Sequence, residues 1–304
     1  MADVLNNEAV AQAPRPITVP RAQASLGSLV SMERMKLIKR PMTWITFLIL
    51  VAGVAAIIFL AYISLHASNV RPDEKANRLH NFTWPTGIVR SFDISGFLGQ
   101  IVMVVLAASL VGSEYGWGTI RVMVGTGASR TKLLLAKLLA LTGATIVFLV
   151  AAAAAGSLAS LVNTVAGGHP VTLGTVNAAW WGDLALMIAR SSFVLWVMVV
   201  LAFSIASLTR SVAAGIAVGI GWPFLEQILA ALIGLLGNIG DEIKKWLIST
   251  NTSALTQRNG FGPHTVDSGT PGAWHAFLVL IVYAVVLLVV AFTVFWRRDI
   301  SSGA

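Results

Sequence analysis

The sequence predicts an all-α integral membrane protein with six transmembrane helices. Hydrophobic residues make up 56% of the 304 residues and charged residues only 11%, whereas a soluble domain carries about 25% charged residues. Six apolar runs are each long enough to cross a bilayer, which takes about 20 residues in a helix. The basic residues also concentrate on one side of the membrane that these runs define. Together these observations exclude an ordinary soluble domain.

The six predicted spans cover about 43–65, 95–113, 133–158, 184–208, 211–237 and 273–296. Only Thr209 and Arg210 separate the fourth span from the fifth, which predicts a tight helical hairpin. Within the third span, 151–160 reads AAAAAGSLAS. Small side chains let helix backbones approach closely, so this stretch predicts close packing against neighbouring spans.

The charge distribution predicts the orientation of the spans. With both termini on the same side, that side carries 13 of the 21 Lys and Arg residues and 5 of the 13 acidic residues. The whole net charge of +8 therefore lies on one face, which the positive-inside rule assigns to the cytoplasm. We expect a multi-pass protein of the bacterial cytoplasmic (inner) membrane with both termini cytoplasmic. This distribution also accounts for the basic charge without nucleic acid as a partner.

Two domains follow from this reading. Residues 1–26 are polar and rich in proline and alanine, and predict a disordered cytoplasmic tail, whereas 27–304 form the six-span transmembrane domain. Three segments fall outside, at about 66–94, 159–183 and 238–272, and the first and last can hold short extracellular helices. In the last, DEIKKWLISTNTSAL (241–255) predicts one interfacial helix.

Several chemistries are absent from the sequence. The chain has no cysteine, which excludes disulfides and thiolate sites. It lacks G-x-x-x-x-G-K-[ST], so it does not cradle ATP phosphates by itself, and it lacks H-E-x-x-H. The five histidines are scattered without metal-ligand spacing. We therefore expect no catalytic residue, metal or cofactor on this chain, and classify it as a non-enzyme.

The segment between the second and third spans has unusual composition. Residues 114–137 read EYGWGTIRVMVGTGASRTKLLLAK, a basic stretch interrupted by glycines. A simple turn needs only a few residues, and a short run with Ile120, Val122 and Met123 lies around Arg121. Two interpretations remain open: a docking surface for another protein, or an ordinary basic loop that reaches lipid headgroups.

The same segment resembles a known family. The pattern Glu114-x-x-x-Gly118-Thr119-x-Arg121, followed by Ser129-Arg130 and Lys137, is similar to that of the membrane subunits of type-2 ATP-binding-cassette (ABC) transporters. The likeness extends to MERMKLIKRP (32–41), the six spans and WRRDI (296–300), and so covers most of 28–300. Many members carry a proline before the Ser-Arg pair, where this chain has Gly127-Ala128.

The resemblance implies a permease subunit of an exporter. The segment would form a coupling helix that sits in a cleft of a separate ATPase. The matching positions that would couple to the ATPase are Glu114, Gly118, Thr119, Arg121 and Arg130, with Ile120, Val122 and Met123 as the apolar contact. Residues 28–41 would form an elbow helix along the inner surface, although their apolar residues make no clean stripe.

The implied partners are two copies of the nucleotide-binding ATPase, a second permease copy or a sibling permease, and membrane lipids. ATP and Mg would bind the partner ATPase. The mostly apolar path favours a hydrophobic or amphipathic cargo such as a peptide antibiotic, drug or lipid. Two other classes stay open: an ATPase-independent secondary transporter, and a non-transporting membrane anchor or sensor for an ATPase.

Polar residues inside the spans are candidates for the translocation path. Glu226 is the only acidic residue well inside an apolar run, and Pro223 would kink the same helix. Because an intramembrane carboxylate is costly, we hypothesise that Glu226 and Gln227 line or gate the path, with Gln100 as a further candidate. The alternative is a glutamate that is protonated, wet, or hydrogen-bonded by a neighbouring segment.

Overall fold

A computed structural model describes residues 25–67, 71–116, 129–171, 176–261 and 269–297. Helices hold 86% of these residues, which contain no strand. The helices are α1 (Leu26–Lys39), α2 (Pro41–Ala67), α3 (Pro72–His80), α4 (Gly87–Gly116), α5 (Arg130–Ala166), α6 (Ala178–Thr209), α7 (Val212–Gly234), α8 (Asn238–Lys244), α9 (Ile248–Thr256) and α10 (Ala273–Arg297). Six of them, α2, α4, α5, α6, α7 and α10, are long and apolar enough to span a membrane. The prediction of a six-span helical membrane protein is confirmed.

Several helices extend beyond the apolar runs that predicted them. Helix α5 ends at Ala166 rather than near 158, because its last polar residues are bonded to neighbouring segments. The Asn163 side-chain nitrogen donates to the carbonyls of Ile58 and Phe82, at 3.3 and 3.2 Å. An apolar run therefore predicts only the part of a helix that lies in hydrocarbon. The helix continues beyond this part where its polar side chains form hydrogen bonds with neighbouring segments.

Helix α4 is the centre of the bundle. It packs against α2, α5, α6 and α7, and Met103, Leu106 and Leu110 on it are fully buried. Helix α7 lies at the periphery instead, with Phe224, Ile228 and Leu232 exposed along one stripe. Lipid or another helical bundle can cover such a face in a membrane.

Small residues bring α5 close to its neighbours, as the AAAAAGSLAS stretch predicts. A Cβ on Gly156 would lie 2.6 Å from the Ser91 hydroxyl oxygen and 2.8 Å from a Val54 methyl carbon. Ala152 and Ala153 are buried beside it. A larger residue at Gly156 would not fit, so the small residues allow α5 to approach α2 and α4 this closely.

The connection between α6 and α7 is the tight hairpin that the sequence predicts. Arg210 adopts the left-handed conformation with φ of 57° and reverses the chain. Ser211 then caps α7, because its hydroxyl oxygen accepts the Ala214 N–H at 3.3 Å.

The single interfacial helix predicted at 241–255 is wrong, because the chain forms α8 and α9 with a break between them. In a continuous helix the N–H groups of Ile248 and Ser249 would bond to carbonyls four residues earlier. They bond instead to the two carboxylate oxygens of Glu226, at 2.9 and 2.6 Å. The Glu226 carboxylate therefore caps the start of α9, while a turn over 245–247 separates α9 from α8.

Candidate functional site

Four charged side chains form a buried cluster where α1, α4 and α5 meet. The Lys137 ammonium lies 2.6 Å from a Glu114 carboxylate oxygen and 3.0 Å from a Glu33 oxygen. The Lys36 ammonium bridges the same two carboxylates, at 2.9 Å from Glu114 and 2.8 Å from Glu33. We call these four residues the ion cluster. Two ammonium groups face two carboxylates, so their formal charges balance.

The ion cluster is a buried interaction and not a surface salt bridge. The side chains of Glu33, Glu114 and Lys137 are 0%, 2% and 3% exposed, and only Lys36 reaches solvent, at 24%. Taking charges out of water costs several kcal/mol per ion in practice. The cost is offset only while each ion keeps its partners, so α1, α4 and α5 are held in one relative position.

The sequence of α1 explains how Glu33 reaches this position. Leu29, Glu33 and Leu37 are the buried residues of the helix, and a spacing of four places them on one face. The apolar stripe of α1 is interrupted by Glu33 because this face packs on α5 rather than on lipid alone. A hydrogen bond also links α1 to α2, because the Trp44 indole nitrogen on α2 donates to the Ile38 carbonyl on α1 at 2.7 Å.

The structure brings some of the predicted coupling residues together. Glu114 belongs to the ion cluster, as described above. Arg130 is half-buried, and its guanidinium donates to the Trp296 carbonyl at the end of α10, at 3.3 Å. Ser129 occupies the N-cap position of α5, but its hydroxyl bonds to Thr131 rather than to the backbone. The others, Gly118, Thr119, Ile120, Arg121, Val122 and Met123, lie outside the described residues.

Two members of the ion cluster lie on the two helices that flank the connection in which those residues lie. Glu114 is two residues from the end of α4, and Lys137 is in the second turn of α5. The buried Glu114–Lys137 ion pair therefore joins the two helices that residues 117–128 connect. The ion cluster thus links the flanks of this connection to each other and to α1.

The predicted path residues lie apart from the ion cluster. Gln100 is half-buried on α4, and Pro223 lies inside α7. Glu226 is only 2% exposed, and both of its oxygens bond to α9. This geometry favours the alternative of a glutamate satisfied by a neighbouring segment. Gln227 is exposed beside it and lines a polar cleft of about 580 Å³ against α8 and α9.

Sequence reasoning missed two members of the ion cluster, Glu33 and Lys36. The signal was present, because Glu33 lies four residues after Leu29 and four before Leu37. A carboxylate in the middle of an apolar face needs a buried cation as partner. The identity of that partner was not readable, since Lys137 is 104 residues away in the sequence.

The fold and site together define a six-span helical membrane protein with an ion-paired junction beside one inter-span connection. Residues 74–301, well over half of the chain, match the family described as "Protein of unknown function (DUF2705)", and the chain belongs to this family. The match includes Glu114 and Lys137 but not Glu33 or Lys36. No curated protein matches the chain at a significant level.

Proposed function

We propose that this chain is the permease subunit of a type-2 ABC exporter, driven by a separate ATPase that contacts the 117–128 connection. The ion cluster is the observation that carries the proposal. A connection that only linked two spans would not need a buried double ion pair between its flanks. A connection that receives force from a partner needs flanks that do not separate under load.

The ion cluster also determines what moves when the connection is pushed. Glu114 and Lys137 join α4 to α5, Glu33 joins α1 to α5, and Lys36 joins α1 to α4. A displacement of the connection is then shared by two spans and the helix before the first span. This is the mechanical requirement for coupling between a site on one chain and a path formed by another.

From α4 the displacement continues to α7 through close backbone packing. A Cβ on Gly112 would lie 2.6 Å from the backbone nitrogen of Val212, and a Cβ on Gly215 would lie 2.8 Å from the Ala108 Cβ. Helices in such close contact shift together rather than slide independently. The exposed apolar stripe of α7 would then meet a second permease copy or a sibling.

The proposal also assigns the ATP site, the cargo and the roles of Glu226 and Gln227. ATP and Mg bind the partner ATPase, and Arg121 and Arg130 contact it on the cytoplasmic side. The path carries a hydrophobic or amphipathic cargo across the bacterial inner membrane. Glu226 serves as a tie between α7 and α9, and Gln227 faces the cleft that the cargo would pass.

Co-purification tests this assignment. The full chain, tagged and expressed with its neighbouring genes, is expected to retain a nucleotide-binding ATPase in stoichiometric amount after mild solubilisation. Arg121→Glu should reduce the retained ATPase at least tenfold, since it reverses the charge at the proposed contact. Arg71→Glu, at the opposite end of the bundle, is the matched control and should retain it. A chain that purifies without an ATPase, yet transports in vesicles, would contradict the proposal.

A further inference from the structure

An apolar groove runs between α1, the start of α2 and the middle of α5. It encloses about 470 Å³ and is lined almost entirely by carbon, with Arg34 as its one charged residue. None of the four residues of the ion cluster lines the groove. It takes no part in the coupling route proposed above.

The floor of the groove is made by the spacing of side chains on α5. Leu139, Gly143 and Val147 are four residues apart and so form one row along the helix, beside the row of Ala140 and Ala144. The small residues make the depression. A Cβ on Gly143 would meet nothing within 4 Å, so the groove is open along its length at this point.

Arg34 is the basic residue that lines the groove. Arg34 and Lys39 are exposed on α1, and neither forms an ion pair with any carboxylate in the described part of the chain. Glu33 is the only acidic residue of α1, and its oxygens already bind Lys36 and Lys137. The Arg34 guanidinium, at the edge of an apolar groove in a membrane protein, is therefore available to an anion with a hydrocarbon tail.

We propose that this groove binds one anionic phospholipid. An acyl chain lies along the Leu139–Gly143–Val147 row, and the phosphate headgroup pairs with Arg34. Basic pockets between membrane helices bind anionic headgroups on this principle. Because Arg34 directly follows Glu33, the lipid would hold α1 against α5 next to the ion cluster. The inference does not depend on the transport function.

Native mass spectrometry of the full-length protein tests the site, with phosphatidylglycerol and phosphatidylcholine of identical acyl chains as probes. The wild type should bind one phosphatidylglycerol in preference to phosphatidylcholine. Arg34→Gln should weaken phosphatidylglycerol binding about fivefold, the effect of one basic residue near a membrane surface, and leave phosphatidylcholine unchanged. Arg71→Gln removes the same charge at the opposite end and is expected to change neither.

Filling the groove tests the acyl-chain position separately. Gly143→Leu should weaken binding of both lipids at least tenfold, whereas Gly182→Leu, also at an exposed position with open space around its Cβ, should have no effect. All four positions are exposed, so each variant is expected to fold. Equal binding of the two lipids by the wild type, or unchanged phosphatidylglycerol binding in Arg34→Gln or Gly143→Leu, would overturn the proposal.

Discussion

Removal of Lys137 is the sharpest test of the ion cluster. Lys137→Met keeps an unbranched side chain of similar length but leaves Glu33 and Glu114 with only Lys36 between them. Taking one partner from a buried ion pair costs about 3–5 kcal/mol, because the remaining charge stays buried without compensation. Lys244→Met is the matched comparison, because it breaks the 3.1 Å pair of Lys244 with the exposed Asp241, and it should cost about 1 kcal/mol or less.

The measurement is thermal unfolding of the purified full-length protein in detergent, followed by intrinsic fluorescence. A loss of 1 kcal/mol lowers the unfolding temperature by about 2–4 °C in a chain of 150–250 residues. Lys137→Met should therefore unfold roughly 10 °C below the wild type, and Lys244→Met only about 2–4 °C below it or less. Equal shifts for the two variants would refute the reasoning, because burial would not determine the cost.

A double variant separates lost charge balance from lost packing. Glu33→Gln with Lys137→Met leaves the 2.9 Å pair of Lys36 and Glu114 intact and restores balanced charge. We expect this double variant to unfold at a higher temperature than Lys137→Met alone. A double variant whose loss equals the sum of the two single losses would show that the residues act independently.

Three further predictions follow from individual contacts. Glu226→Ala should accelerate amide hydrogen exchange at 248–256 at least tenfold, since each bond to a charged acceptor contributes about 1.5–3 kcal/mol; unchanged exchange would contradict its capping role. Gly112→Ala should destabilise by about 1–3 kcal/mol because it overpacks against α7, whereas Gly116→Ala, with open space around it, should not; equal unfolding temperatures would argue against the close contact. A cysteine in place of Arg71 should react with an impermeant maleimide in intact cells, and labelling only after permeabilisation would reverse the orientation.

The spans were readable from the sequence because a bilayer imposes a length and a composition on each helix. All six apolar runs correspond to helices, and the hairpin at Arg210 follows from a two-residue connection. The residues at which the helices end could not be predicted from the sequence. Asn163 looks like a residue that ends a helix, yet its amide is satisfied by carbonyls from two distant segments.

The candidate site was readable only in part. The resemblance places Glu114 among the coupling residues, whereas Lys137 belongs only to the matching pattern and receives no role from it. Their pairing with Glu33 depends on how α1 packs on α5, which sequence spacing does not encode. The same limit applies to Glu226, whose hydrogen bonds to Ile248 and Ser249 span more than twenty residues. Its carboxylate was recognised as exceptional, but its partners are backbone groups, which carry no sequence signal.

Site-specific crosslinking tests the central claim most directly, and the chain contains no cysteine to interfere. Met123→Cys places a single thiol on the 117–128 connection, and Thr270→Cys places one at the opposite end of the bundle. With the neighbouring genes co-expressed, the account predicts a crosslink from Met123→Cys to a nucleotide-binding ATPase, sensitive to ATP, and none from Thr270→Cys. An ATPase that co-purifies but crosslinks from neither position, or from both equally, would contradict the claim that this connection receives the force.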